Sequence, residues 1–211
     1  MKQGKISVLT ILTAVFGVLL VGIGVAFNNC AGLGNDSVGI VYDGIRNAFG
    51  MTAEQLGRAS NVVNISLILV LLAIGKRYIS IGTFVYLLPY GVCVDIGTKL
   101  YGVIHFSEGM LNSILFSVTG CILLYIGVAL YITVDIGVDP FTGIVLVLVD
   151  KLKKEFRFVK IIFDITMILI GLILGGKAGM VTAVTALTAG PCIQFFHKKF
   201  VKILVKKSRE E

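Results

Sequence analysis

Charge is scarce in this chain: 15% of its 211 residues are Asp, Glu, Lys or Arg, against 56% that are hydrophobic. A soluble domain carries about 25% charged and about 45–50% apolar residues, so a water-covered globular surface is excluded. Histidine is nearly absent, with two in all. No Ser/His/Asp order, HExxH pair or phosphate-cradling glycine loop occurs, and isolated carboxylates give little support for an enzyme. The chain is read as non-catalytic. Its four cysteines, Cys30, Cys93, Cys121 and Cys192, lie in or beside apolar stretches without CxxC or Cys/His spacing. They read as small packing hydrophobes, with no metal, cofactor or disulfide framework expected.

Long uncharged windows are what the sequence has instead. A charge near the centre of a bilayer costs about 2.5 to 3.5 kcal/mol on insertion scales, so such windows mark spanning helices. Ile6 to Phe27, Ala59 to Ile74, Tyr78 to Val94, Met110 to Val134 and Ala178 to Phe196 each read as one span. A sixth runs from about Phe158 to Leu174 and carries Lys160 and Asp164 near its start. Lys2 and Lys5 precede the first run as in a signal peptide, but no small-residue cleavage site follows, so it reads as a retained span. Two further stretches, Val38 to Phe49 and Pro140 to Val149, are too short to cross about 30 Å of hydrocarbon and read as half-helices.

The net charge of +7 falls between apolar runs and in the tail, where it suits lipid head groups and not nucleic acid. With the N-terminus in the cytoplasm and six spans, Lys2, Lys5, Lys76, Arg77, Lys151, Lys153, Lys154, Arg157, Lys160, Lys198, Lys199, Lys202, Lys206, Lys207 and Arg209 are cytoplasmic, 15 of the 19 basic residues. Arg46, Arg58, Lys99 and Lys177 lie outside. The positive-inside rule therefore puts both termini of a multi-pass membrane protein in the cytoplasm. Eight spans, with both short stretches crossing, is the alternative.

An internal repeat runs through the chain. Ile23-Gly24-Val25-Ala26 recurs as Ile126-Gly127-Val128-Ala129, and the same shift of 103 sets Gly34 on Gly137 and Asp36 on Asp139. Asn64-Ile65 matches Asp164-Ile165, Gly75 matches Gly175, and Thr83, Gly91 and Cys93 match Thr182, Gly190 and Cys192. Three spans per half is odd, so the halves insert upside down relative to each other. The expected fold is all-α: one membrane domain over residues 1–211, about six transmembrane helices in an inverted 3+3 repeat (6–100 and 110–197), a half-helix in each repeat, and a basic cytoplasmic tail at 198–211. Inverted repeats with broken helices characterise secondary transporters, whose sites lie between the repeats.

Candidate site residues follow from that frame. In Asp135-Ile-Gly-Val-Asp-Pro140, Asp139 suits an N-cap and Pro140 the first helical position; Gly32-Leu-Gly-Asn-Asp-Ser37 occupies the matching place. Gly34, Gly137 and Pro140 mark the helix-break turns. The free N–H groups of such a helix end can hold an anion, and the broken backbone can offer carbonyls to a cation. Polar residues within spans usually face the bundle interior or a water-filled path. Asn28, Asn29, Asn64 and Asp95 are expected toward the outer side, Asp164 and Gln194 toward the inner, with Asp36 and Asp139 at the turns. Asp95 is expected to handle a proton or cation, sharing a helix face with Gly91, while the Asp139 helix end orients an anionic or zwitterionic solute. Asp164 could equally pair with Lys160 at i, i+4. Tyr42, Tyr78, Tyr86 and Tyr90 read as part of an interfacial belt, and His105 with Glu108 as an outer loop.

Gly24 with Asp36, the Ile81-Gly82-Thr83 opening of a span followed by Gly91 and Asp95, and the Gly137-Val138-Asp139-Pro140 turn resemble the YczE/YyaS/YitT family of bacterial integral membrane proteins. The resemblance implies a polytopic inner-membrane protein and brings no substrate or catalytic residue with it. Ser37 stands where the second half has Pro140, so the two turns are not identical. The expected function is secondary transport of a small solute. The alternative is a membrane-embedded partner, a substrate-capture or regulatory subunit of a larger complex. The lipid bilayer, a small solute, and a second copy or a partner membrane protein are the expected contacts.

Overall fold

The computed structural model describes residues 8–104 and 109–210. Lys2, Lys5, His105 and Glu108 lie outside the described residues. Within them the chain forms eight α-helices and no strand: α1 (Val8–Ala31), α2 (Ser37–Ala48), α3 (Leu56–Ile74), α4 (Ile81–Ile104), α5 (Met110–Thr133), α6 (Pro140–Leu152), α7 (Phe156–Ile173) and α8 (Met180–Glu210). Four segments, Val8–Ala31, Ala53–Ile74, Ile81–Ile104 and Met110–Thr133, are long and apolar enough to cross a bilayer. Helices serve this environment because each closes its own backbone hydrogen bonds where no water can. The exposed faces are apolar as well: Leu9, Leu12 and Phe16 on α1, Leu88 and Val92 on α4, Leu111 and Leu115 on α5 and Ile161, Ile165 and Leu169 on α7 all point away from the bundle. Water would reject so continuous an apolar shell; lipid accepts it. The protein is a membrane-embedded helical bundle.

Helix limits move at informative places. The first helix runs past Phe27 to Ala31 and takes in Asn28 and Asn29, because Gly32, with φ +73°, is the first residue to turn the backbone. The α4 helix runs ten residues beyond Val94 and carries Asp95 and Lys99 on its own turns. The basic residues from Lys198 onward lie on the last turns of α8, which continues without a break to Glu210.

The α1 helix lies at the centre, packed along α4 and α5, with α8 on α5, α2 on α7 and α6 on α3. Glycine permits the α1–α5 approach: a Cβ on Gly24 would stand 2.6 Å from the Gly120 carbonyl oxygen, and one on Gly17 would stand 2.9 Å from that of Gly127. Small residues of this kind let backbones meet in lipid, where packing replaces the hydrophobic effect as the force between helices. Numbers rise along α1 as they fall along α5, so this pair is antiparallel. Gly22 against Cys93, with Gly97 against Ala26, sets α1 and α4 running the same way.

Candidate functional site

Each short helix begins at an aspartate. The Asp36 carboxylate accepts from the Gly39 N–H at 3.2 Å to cap α2, and Asp139 accepts from the Thr142 N–H at 3.0 Å to cap α6. Both caps follow a glycine with positive φ, Gly34 at +99° and Gly137 at +151°, where a side chain would be strained. The turns are anchored in matching ways. Leu33 O accepts from the Val181 N–H at 3.0 Å, and Ile136 O accepts from the Gly82 N–H at 3.1 Å. Beside them Thr182 Oγ1 accepts from Gly179 N–H and Thr83 Oγ1 from Ser80 N–H, so each turn is seated on the first turn of a long helix from the opposite half.

From these turns the short helices run alongside α7 and α3. Ser37 Oγ donates to Asp164 in the middle of α7 at 2.7 Å, and ten residues on Asn47 donates to Gly175 O. On the other side a Cβ on Gly143 would meet Leu71, Gly75 lies against Val147, and Asp150 at the far end of α6 binds Arg77 and Tyr78. Each short helix therefore starts partway along the long helix it packs on.

An aromatic chain joins the two short helices. Phe163 meets Phe141, Phe141 meets Tyr42 edge-on at 5.9 Å, Tyr42 meets Tyr90 at 5.7 Å, Tyr90 stacks on Tyr86 at 5.0 Å, and Tyr86 meets Tyr131 at 5.4 Å. Tyr42 donates to Asn64 Oδ1 and Tyr131 to Gly82 O. Tyr42, Tyr86 and Tyr90 are thus core residues and not an interfacial belt; helical spacing alone cannot tell a buried tyrosine stripe from a surface one. Tyr78, half-buried at a helix end, is where a belt residue would be.

Charge gathers at the α2 end of the aromatic chain. Asp164 accepts from Lys160 at 2.5 Å as well as from Ser37, and Asp36 caps the same helix start. Further along α2, Asp43 is fully buried; its Oδ1 receives Nε and Nη2 of Arg46, at 3.1 and 2.6 Å, and its Oδ2 receives the Lys177 backbone N–H at 2.9 Å. Asn28 and Asn29 of α1, with Asn35, line a polar cleft beside that ion pair.

The remaining candidates lie elsewhere. The Asp95 carboxylate accepts from the Gly57 N–H at 3.1 Å and so closes the start of α3. It lies twelve residues along α4 from Thr83, which holds the Asp139 turn through Val138 O; at 1.5 Å per residue that is about 18 Å. Gln194 is exposed on α8. The Asp43–Arg46 pair was not singled out in the sequence, although two opposite charges three apart in a short apolar helix are a readable sign of pairing.

A family profile covers residues 8–198 and describes DUF6198, a family of unknown function. The chain belongs to that family. It is also 25% identical over 187 residues, 89% of this chain and 83% of the relative, to an uncharacterized protein of Haemophilus influenzae. No solved structure matches. Membership in DUF6198 covers nearly the whole bundle and assigns no chemistry to it, and the YczE/YyaS/YitT resemblance rests on the short motifs alone.

Proposed function

We propose that the protein is a secondary transporter for a small solute, built as an inverted 3+3 repeat in the bacterial plasma membrane with both termini in the cytoplasm. The observation that carries this reading is the matched pair of Asp-capped turns, each starting a half-helix partway along a helix and held by equivalent hydrogen bonds. Helices broken at depth place backbone N–H and C=O groups where a solute can use them, which is how such transporters build their sites. Support for inversion comes from the central crossing. Adding or subtracting 103 turns the Gly17–Gly127 contact into Gly120–Gly24, so one two-fold exchanges them, and the helices it exchanges are antiparallel.

In this reading α1, α3, α4, α5, α7 and α8 cross, while α2 and α6 run from the interior to the outer and inner faces respectively. Asp36, Lys160 and Asp164 at the α2 start form the coupling cluster, since carboxylates and an amine kept at depth are expensive unless paired or used. Asp139 and its helix end face the other approach, and the tyrosine chain closes the path between them. Asp95, Asn64 and Gln194 take no direct part.

A metabolite screen by thermal shift on detergent-purified protein, followed by uptake of each stabilising solute into liposomes holding this protein alone, tests the proposal. A ligand at 100 times its Kd adds roughly 2.7 kcal/mol to the state it binds, so hits stand out. Gradient-dependent, saturable uptake is the expected result. A protein that moves none of its ligands alone, and co-purifies with a second membrane protein, is instead the subunit of a larger complex.

A further inference from the structure

The polar cleft between the end of α1, the α1–α2 linker, α2 and the linker before α8 holds more hydrogen-bonding capacity than the fold uses. Asn28 and Asn35 are 0% and 2% exposed, yet Asn28 Nδ2 and Asn35 Oδ1 have no hydrogen-bond partner among the described residues. Buried polar atoms are seldom left this way, because they give up water without return. Beside them Asp43 spends both carboxylate oxygens holding the Arg46 guanidinium and the Lys177 backbone, and Arg46 Nη1 donates to Met51 O at 3.4 Å, so Arg46 is fixed in direction with two of its five N–H groups to spare. The exposed Lys177 side chain makes no ion pair among the described residues. The charges that line the cleft sum to one net positive.

This equipment has no counterpart in the second half. Adding 103 to Asn28, Asn35, Asp43 and Arg46 gives Tyr131, Val138, Leu146 and Val149. What the repeated architecture needs should recur in both halves, and these polar groups occur in one.

We infer that the cleft is a recognition site for a small oxyanion, a carboxylate or phosphate, that also carries a hydroxyl or amino donor. Arg46 and Lys177 take the oxyanion, Asn28 Nδ2 donates to one of its oxygens, Asn35 Oδ1 accepts from the donor group, and Asp43 acts as a positioning residue for Arg46. The inference rests on the transporter reading only in making this the outward-facing loading site; binding does not depend on it.

Titration calorimetry on detergent-purified protein at fixed ionic strength tests the site, with inorganic phosphate, L-malate and L-glutamate as probes and ethanolamine as a cationic control. At least one anion is expected to bind and ethanolamine not to. Arg46→Gln and Asn28→Leu should each weaken that binding about tenfold or more, as loss of a buried or charge-assisted partner does. Because Arg46→Gln strands the buried Asp43, Lys177→Gln serves as the variant free of folding risk, with about a threefold loss expected at the cleft's rim. Phosphatidylglycerol titrated into the same sample separates sources: Arg46-dependent binding tighter than that of every soluble probe assigns the oxyanion to a lipid headgroup. Failure of all anions to bind, or affinity unchanged in Lys177→Gln and in folded Arg46→Gln, overturns the site. Binding without uptake keeps the cleft and removes the transporter reading; uptake indifferent to Lys177 and Arg46 keeps the transporter reading and removes the cleft as its loading site.

Discussion

Gly24→Leu is expected to leave almost no folded protein in the membrane, with the yield of monodisperse material in detergent falling more than about tenfold. Overpacking a core usually costs about 1–3 kcal/mol because side chains can shift aside. Here the obstacle is backbone: an added Cβ stands 2.6 Å from Gly120 O, 2.8 Å from Leu124 N and 3.1 Å from Leu124 Cβ. Three further carbons have nowhere to go unless α1 and α5 separate, and that would also part Gly17 from Gly127 and unseat α4 and α8, which pack on the same pair. Gly102→Ala is the control, since nothing lies within 4 Å of the added carbon there. Within a helix that change should stabilise by roughly 0.5–1 kcal/mol. Comparable yields for Gly24→Leu and Gly102→Ala, read by fluorescence size exclusion, would show that the crossing is loose.

Asp164→Asn is expected to abolish gradient-driven uptake while the amount of folded protein stays near the parent level. The amide keeps the shape and can still accept from Ser37, but it cannot bind or release a proton, and it leaves Lys160 facing Asp36 alone. Lys160→Met should be worse for folding. It takes the one amine from two carboxylates at a helix start, and removing one partner of a buried pair costs about 3–5 kcal/mol. The Lys160 and Asp164 side chains are 35% and 28% exposed, so the cost falls below that range. Asp95→Asn, which changes a carboxylate that closes α3, should keep coupled uptake at the cost of some thermal stability. Uptake retained by Asp164→Asn and lost by Asp95→Asn would move the coupling role from the α2 start to the far part of α4.

Much of this arrangement is written in the sequence because membrane helices obey few rules. Uncharged windows located the long helices, and Asp139-Pro140 announced the start of α6 to the residue, since an N-cap followed by proline at the first position has a local cause. Helix ends that depend on depth were harder. Asp95 and Lys99 looked like the edge of a span, yet α4 carries both, because Gly57 N–H satisfies the carboxylate from a neighbouring helix. Tyr42, Tyr86 and Tyr90 looked interfacial for a similar reason: an amphipathic ring suits a membrane surface or a polar core, and Asn64, the partner that decides the matter for Tyr42, is 22 residues away. The role of the Asp43–Arg46 pair is not legible from local sequence alone, because its meaning comes from Lys177, whose backbone N–H reaches Asp43 from another part of the chain.

The proposed transporter has two halves of opposite orientation, and single cysteines at equivalent positions report on that most directly. Lys76 and Lys177 follow the matched glycines Gly75 and, one residue further on, Gly175, and both are exposed near the ends of α3 and α7. In a background with Cys30, Cys93, Cys121 and Cys192 replaced by alanine, a membrane-impermeant maleimide should label Lys177→Cys in intact cells and Lys76→Cys only after the membrane is opened. Labelling of both from the same side would contradict the inverted repeat, and with it the transporter reading.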